Sequence, residues 1–274
     1  MRQFRLDGRV AVITGGAGLL GVQHASAIAE AGGIPVLWDI DERAAKRQAE
    51  HIASEYAVRA AGMRVDVTDR ASVVRGLEDV LASHDRLDIL INNAASNPKV
   101  ENGNGFGGAA SRLENLSLDT WNRDLAVGLT GAFLCSQVLG SAMAQRQGGV
   151  ILNIASDLAL IGPDQRIYRQ ADKPDNQQPV KPVSYSVVKG GLLSLTKYLA
   201  TYWADKNVRV NAICPGGVQN GQDQAFVERL TQLIPMGRMA RRDEYRAAVV
   251  FLCSDASSYM TGSHLVMDGG RTAW

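Results

Sequence analysis

Short apolar runs that do not alternate with polar residues, each separated from the next by a longer helical pattern, constrain this chain more than any other feature. The strand-like runs fall at 9–14 (RVAVIT), 34–39 (IPVLWD), 63–67, 87–92 (LDILIN), 150–155, 208–213 and 264–267. A strand that is apolar on both sides of its pleat must be buried on both faces, which calls for a parallel sheet with helices above and below it. Helical patterns at 20–31, 42–60, 118–146, 185–206 and 243–254 fill that role. Seven strands in one unbroken series leave no linker, so a single α/β domain over residues 1–274 is predicted: a doubly wound parallel seven-stranded sheet with helices on both faces.

Two segments break the rhythm. Residues 96–115 are rich in Gly and Asn, and 161–182 carry four prolines among polar residues. Loops this long in a compact domain are functional or disordered. Both are predicted to lie on the substrate side, and neither is predicted to be a core element.

Charge and cysteine content exclude several classes. Lys plus Arg is 29 and Asp plus Glu is 28, a formal charge of +1 that offers no footprint for nucleic acid or an anionic membrane. The three cysteines, Cys135, Cys214 and Cys253, are distant from one another and read as free packing thiols. The four histidines share no ligand spacing, so no metal is expected. The amino-terminal stretch lacks the apolar core of a signal peptide, and no later run reads as long enough to span a bilayer. A cytoplasmic protein is the expectation.

The first strand runs into a glycine turn, VITGGAGLLG at 12–21. It fits G-x-G-x-x-G at Gly16, Gly18 and Gly21, and also T-G-x-x-G-x-x-G from Thr14. In either spelling a strand, a glycine turn and a helix start place free N–H groups and a positive helix end against a pyrophosphate. Asp39 ends the second strand, where a carboxylate accepts hydrogen bonds from ribose hydroxyls and repels a 2′-phosphate. No Arg or Lys lies between Gly15 and Asp39. NAD is therefore favoured over NADP.

Tyr185 and Lys189, in YSVVK, stand one helical turn apart on one face. A tyrosine titrates near ~10, and bringing it to about 7 takes roughly 4 kcal/mol of differential stabilisation of the phenolate. One ammonium about 4 Å away supplies a term of that order at an effective dielectric of about 20. Such a tyrosine can act as a general acid/base. Ser156 ends the strand ILNIAS at the carboxyl edge of the sheet, where its hydroxyl can hold a substrate oxygen.

Over nearly its whole length the chain resembles the short-chain dehydrogenase/reductase family, in its single-domain branch. The matching residues are TGGAGLLG at 14–21, Asp39, VDV around Asp66, NNAA at 92–95, NIAS ending at Ser156, YSVVK at 185–189, NAICPGGV at 211–218 and YMTGSHLVMDGG at 259–270. The resemblance implies a Rossmann-type fold in which Ser156 orients the substrate oxygen and Tyr185 transfers the proton. Lys189 would tune Tyr185 and hold the nicotinamide ribose. It further implies cofactor contacts from Gly15, Gly18, Leu20, Gly21, Asp39 and Ile40, with Asp66 and Val67 beside the adenine. Asn93 and Ala94 would lie under the ribose, and Pro215, Gly216 and Val218 would flank the nicotinamide. A homotetramer built partly from the 118–146 and 185–206 helices is implied as well. The loop spelling, the long insert and the ending DGGRTAW also resemble a narrower group, the reductases of flagellin modification and nonulosonic-acid sugars. That likeness implies an amino-sugar or sugar-phosphate substrate.

The chain departs from the family at three places. TGGAGLLG carries Leu19 where the single-domain reductases normally have Gly, a spelling usual in the larger sugar-nucleotide epimerases. Gly128 stands where the family supplies an Asn for a water-linked proton relay, and Asn220 stands where a Thr would approach the nicotinamide amide. The interval between Ser156 and Tyr185 is longer than usual, and the surplus carries Arg166, Tyr168, Arg169, Lys173 and Lys181 against Asp164, Asp172 and Asp175. The expected function is an NAD(H)-dependent oxidoreductase interconverting a secondary alcohol and a ketone on a small polar, sugar-derived or anionic molecule. Two alternatives remain: a non-catalytic NAD-binding subunit, motivated by Gly128, and an internal-redox epimerase or dehydratase, motivated by the loop.

Overall fold

The computed structural model describes residues 2–96 and 108–274. Most of the Gly- and Asn-rich segment expected at 96–115 therefore lies outside the described residues. The seven strands are β1 (Val10–Thr14), β2 (Ile34–Asp39), β3 (Ala61–Arg64), β4 (Ile89–Asn92), β5 (Gly149–Ile154), β6 (Val208–Pro215) and β7 (His264–Met267). They form one sheet in the order β3-β2-β1-β4-β5-β6-β7, parallel throughout. The order reverses between β1 and β4, and ligands of such sheets bind at the carboxyl ends of the strands at that point.

The double-sided burial expected of the strands is visible residue by residue. Ala11 and Ile13 of β1 face one core with Ile28 of α1 (Leu19–Glu30) and Val249 and Leu252 of the Arg246–Cys253 helix. Val10 and Val12 face the other, with Val73 and Val80 of the Arg70–His84 helix and Leu139 and Met143 of the Leu118–Gln145 helix. In chain order after α1, the helices are α2 (Glu42–Tyr56), α3 (Arg70–His84), α4 (Leu118–Gln145), α5 (Val183–Tyr202), α6 (Gln224–Thr231) and α7 (Arg246–Cys253).

Several expected boundaries move. The pattern at 42–60 ends at Tyr56, because Ala57 turns into the left-handed region with φ 52°. This releases the chain earlier, so β3 is Ala61–Arg64 rather than 63–67. Helix α5 starts at Val183, directly after Pro182, which cannot donate an internal N–H and closes the preceding segment. Helices α3 and α6 went unread in the sequence although each is capped. Asp69 accepts from Ala71 N and Ser72 N, and Asp223 accepts from Phe226 N.

Two expectations are corrected. By length and composition α4 is apolar enough to cross a membrane, whereas the sequence reading found no such run. Its Cys135, Leu139 and Met143 are buried against the sheet, while Leu118 and Phe133 are exposed. The 161–182 segment, expected to stay outside any core, owns one. Ile167 and Tyr168 are buried with Phe226 and Leu230 of α6, Ile234 and Met239. The polar residues around them conceal an apolar pair too short to show periodicity.

Candidate active site

The glycine turn is shaped by contacts that no side chain could share. Gly15 has φ +60°, and a Cβ on Gly16 would come within 2.8 Å of the Leu37 Cα. A Cβ on Gly21 would stand 2.2 Å from the Gly15 carbonyl. Gly21 therefore lets α1 approach the turn closely. With Gly18 as N-cap and Val22 N donating back to Gly18 O, the first-turn amides of α1 precede any internal acceptor. Such amides at a twelve-residue helix start are suited to a pyrophosphate.

Asp39 ties this turn to β2. Its Oδ2 accepts from Ala17 N at 3.0 Å and its Oδ1 from Asp41 N at 3.1 Å. Each oxygen retains a further acceptor position for a ribose hydroxyl. Asp66 is held likewise, accepting from Thr68 N at 2.9 Å and Thr68 Oγ1 at 2.6 Å, and these bonds lower its pKa. Asn93 staples β4 to the turn, its Nδ2 donating to Thr14 O and Gly15 O, while Thr14 Oγ1 accepts from the backbone of Asn93 and Ala94. The NNAA motif thus builds the floor of the loop. Behind it, Asn92 donates to Asn153, and Asn153 donates to Thr196 of α5, a buried polar ladder that fixes β4, β5 and α5 together.

These parts open on one cleft of about 780 Å³. Of the residues expected from sequence, Gly15, Gly18, Leu20, Asp39, Ile40, Asp66, Val67, Asn93, Ala94, Ser156, Tyr185, Lys189, Pro215, Gly216 and Val218 all line it. The glycine cradle, the free helix start and the two carboxylates at one end fit a nicotinamide dinucleotide. Leu19, where the loop spelling departs, opens α1 and lines the cleft too.

At the other end stand Ser156, Tyr185 and Lys189. Lys189 is buried and its Nζ donates to Ile154 O at 2.7 Å. Burial, with a smaller contribution from Lys181, pulls its pKa down to about 8. Its Nζ lies 5.8 Å from the Tyr185 ring centre. Ser156 Oγ donates to Asp157 Oδ1 at 2.8 Å and accepts from Leu158 N.

Sequence reasoning missed the Asp157–Arg271 pair and the apolar wall at this end, and named Lys181 and Tyr168 only as members of the insert. Asp157 is buried and paired with Arg271 of the carboxyl-terminal segment, Nη1 to Oδ2 2.8 Å, so the DGGR ending reaches back to the residue that holds Ser156. Lys181 lines the cleft with its Nζ 3.9 Å from the Tyr185 ring centre. Tyr168, Ile167, Phe226, Leu230 and Met239 give it an apolar wall. Only closeness in space joins Asp157 to Arg271, and the insert to Phe226, Leu230 and Met239.

The departures acquire physical accounts. Gly128 is buried within a π-helical turn, Ala126–Thr130, and a Cβ there would meet Val188 Cγ1 at 2.6 Å. Gly128 lets α4 pack closely on α5 at Val188. Asn220 lines the cleft and accepts from Arg242 at 2.8 Å. The insert's charges pair largely within it, Arg166 with Asp164 at 2.7 Å and Arg169 with Asp175. Among the described residues, Lys181 is the insert cation that lines the cleft. All three cysteines are buried, and burial raises the Cys135, Cys214 and Cys253 thiols to about 12, 11 and 12.

With this fold and cleft in view, comparison with known proteins is decisive for family. The short chain dehydrogenase family model matches residues 9–171, and that of Enoyl-(Acyl carrier protein) reductase matches 176–272. The chain belongs to the short-chain dehydrogenase/reductase family of oxidoreductases. It is 36% identical over 277 residues to a D-threitol dehydrogenase of Mycolicibacterium smegmatis, covering 98% of this chain and 95% of that one. It is 32% identical to a galactitol 2-dehydrogenase (L-tagatose-forming) of Cereibacter sphaeroides, covering 99% and 98%. Among solved structures, a gluconate 5-dehydrogenase from Burkholderia cenocepacia in complex with NADP and tartrate superposes with a TM-score of 0.85 at 29% identity, over 100% of this chain and 98% of that one.

Proposed function

We propose that the protein is an NAD-dependent dehydrogenase that oxidises a secondary hydroxyl of a small polyol or sugar-derived molecule to a ketone, and runs the reverse reduction. The observation that carries this reading is the meeting of Ser156, Tyr185 and Lys189 at one end of a cleft whose other end presents the glycine cradle, Asp39 and Asp66. The nicotinamide, when bound, supplies hydride transfer. Tyr185 Oη takes the proton of the substrate hydroxyl, or returns it to the ketone oxygen. Ser156 holds that oxygen, its side chain oriented by Asp157 and Arg271. Lys189, anchored on Ile154 O, stabilises the Tyr185 phenolate.

NAD is preferred because the adenosine end presents Asp39 and Asp66, and a 2′-phosphate beside them would meet like charge. The polyol and sugar-alcohol relatives support the substrate class. The narrower likeness to amino-sugar and sugar-phosphate reductases carries less weight, because Arg166 and Arg169 are already paired inside the insert. A role without catalysis stays the second reading, motivated by Gly128, which offers no side-chain oxygen for a relay, and the same test separates the two.

The test is NADH formation from NAD and a panel of tetritols, pentitols, hexitols and aldonates, with NADP in parallel. Turnover on a polyol, preference for NAD, and loss of about 10²-fold or more in Tyr185→Phe are expected. Intact NAD binding with no turnover on any member of the panel, in either direction, rejects the reading.

A further inference from the structure

After β7 the chain turns back on itself and delivers an arginine to the cleft. Gly269 and Gly270 make the turn with φ of 68° and 89°, in the left-handed region that suits glycine. Asp268 fastens it, Oδ1 accepting from Gly270 N at 2.9 Å and Oδ2 from Thr272 N at 2.7 Å. Arg271 is thereby carried to Asp157, its Nη1 donating to Oδ2 at 2.8 Å.

The pair is buried, with the side chains of Arg271 and Asp157 only 7% and 4% exposed. Desolvation of two such charges can offset their whole attraction, so the pair is a weak source of stability. Both residues do line the cleft. Arg271 uses Nη1 on Asp157, and its Nε and Nη2 find no acceptor among the described residues. Asp157 Oδ1 is occupied by Ser156 Oγ and Leu158 N, whereas Oδ2 accepts from Arg271 and retains a further acceptor position.

We propose that Asp157 and Arg271 form a hydroxyl-recognition subsite, which selects a substrate with a second hydroxyl on the carbon next to the one oxidised. This rests on the reading of Ser156 as the group that holds the reacting oxygen. Two hydrogen bonds of 2.8 Å and one carboxylate lead from Ser156 Oγ to the guanidinium, so its donors stand beside the reacting carbon rather than on it. An Arg–Asp pair offers donors and an acceptor side by side, and a hydroxyl is both acceptor and donor. A carboxylate or phosphate suits this place less well. The charge of Arg271 is already spent on Asp157, and a second carboxylate, Asp268, lies on the same turn with backbone N–H partners. The class selected is a neutral vicinal diol. An analogue without the neighbouring hydroxyl leaves buried polar groups unpaired, which is how such a site discriminates.

The probes are butane-2,3-diol and butan-2-ol, which differ in the neighbouring hydroxyl, with threitol and threonate as a neutral and an anionic polyol. Two quantities are read for each: kcat/KM with NAD, and Kd for the NADH-bound protein from NADH fluorescence, which needs no turnover. Wild type is compared with Arg271→Met and Arg271→Lys, and thermal melts establish folding. Each variant is judged by its own ratio of diol to mono-ol, so a general loss of rate through Ser156 cancels.

Wild type is expected to favour the diol by about 10–100-fold in both quantities, as hydrogen bonds to a charged group allow. The ratio should fall to near one in Arg271→Met. It should fall in part in Arg271→Lys, which keeps the charge beside Asp157 and lacks the planar fork. A wild-type ratio near one, absence of diol binding, or a ratio unchanged in the folded variants overturns the proposal. If Arg271→Met does not fold, an unchanged ratio in Arg271→Lys is enough to do so. A preference for threonate over threitol that Arg271→Met abolishes would make the guanidinium a carboxylate receptor and overturn it as well. Failure of the dehydrogenase reading shows separately, as no turnover with the Kd ratios intact.

Discussion

Individual residues separate into those whose spacing announces their chemistry and those that only folding brings to the site. Tyr185 and Lys189 are of the first kind, because a spacing of four on a helix guarantees adjacency. Asp157, Lys181 and Arg271 are of the second, drawn from a strand end, an insert and the carboxyl-terminal segment. His24 shows how residue type alone misleads. It is buried in α1 with neither ring nitrogen bonded among the described residues, and burial lowers its pKa to about 4. The folded state therefore resists protonation that the unfolded chain accepts near its ordinary 6.5. Stability tied to His24 is complete above that value and is lost as pH falls from about 6.5 towards 4, by on the order of 3 kcal/mol. Chemical denaturation of His24→Leu between these pH values should give a flatter stability profile than wild type, and equal slopes would remove His24 as the cause.

Elements set the substrate side. The 161–182 segment has few apolar residues, and its fold is maintained by side chains that bond to its own backbone. Gln178 Oε1 accepts from Gln170 N and its Nε2 donates to Gln170 O, both at 2.8 Å, and Nε2 donates to Lys173 O as well. Arg229 of α6 donates to Ile167 O at 2.9 Å and Arg169 O at 3.1 Å, pinning the segment to the neighbouring helix. Gln178→Ala removes three hydrogen bonds to partly buried backbone groups, at a cost of about 1 kcal/mol. The expected result is faster limited proteolysis within the insert and a raised KM for substrate, with KM for NAD unchanged. An equal rise in both KM values would show that the insert also supports the cofactor end. The Pro-rich composition made the segment recognisable as an insert. Its interior core of Ile167 and Tyr168 was invisible because the partners lie on α6 and beyond.

At the scale of the whole molecule, α4 and α5 both leave apolar side chains exposed. Leu118 and Phe133 on α4, and Val187, Tyr198 and Tyr202 on α5, are exposed in the single chain. Tyr198 and Tyr202 stack at 5.7 Å, forming a flat aromatic face on the helix that also carries Tyr185 and Lys189. Apolar faces of this kind mark surfaces for association. We propose a homotetramer in which these helices pair, so that assembly braces the catalytic helix. Sedimentation is expected to give four copies, and Phe133→Glu with Tyr198→Glu should yield smaller species of reduced activity. A monodisperse single chain in the wild type would disprove the arrangement.

The sequence by itself determined the class of sheet, the phosphate turn, the carboxylate at the end of β2 and the Ser–Tyr–Lys set, because each is a local pattern of burial, backbone permission or helical spacing. Tertiary structure alone decided that Gly21 lets α1 pack on the glycine turn, and that Val188 packs against the backbone at Gly128. It also decided that the carboxyl-terminal Arg271 grips the residue holding Ser156, and that one lysine of a self-paired insert stands over the catalytic ring. The reason is physical. Hydrophobic period and backbone permission are properties of neighbours in the chain, whereas close packing and charge pairing are properties of neighbours in space.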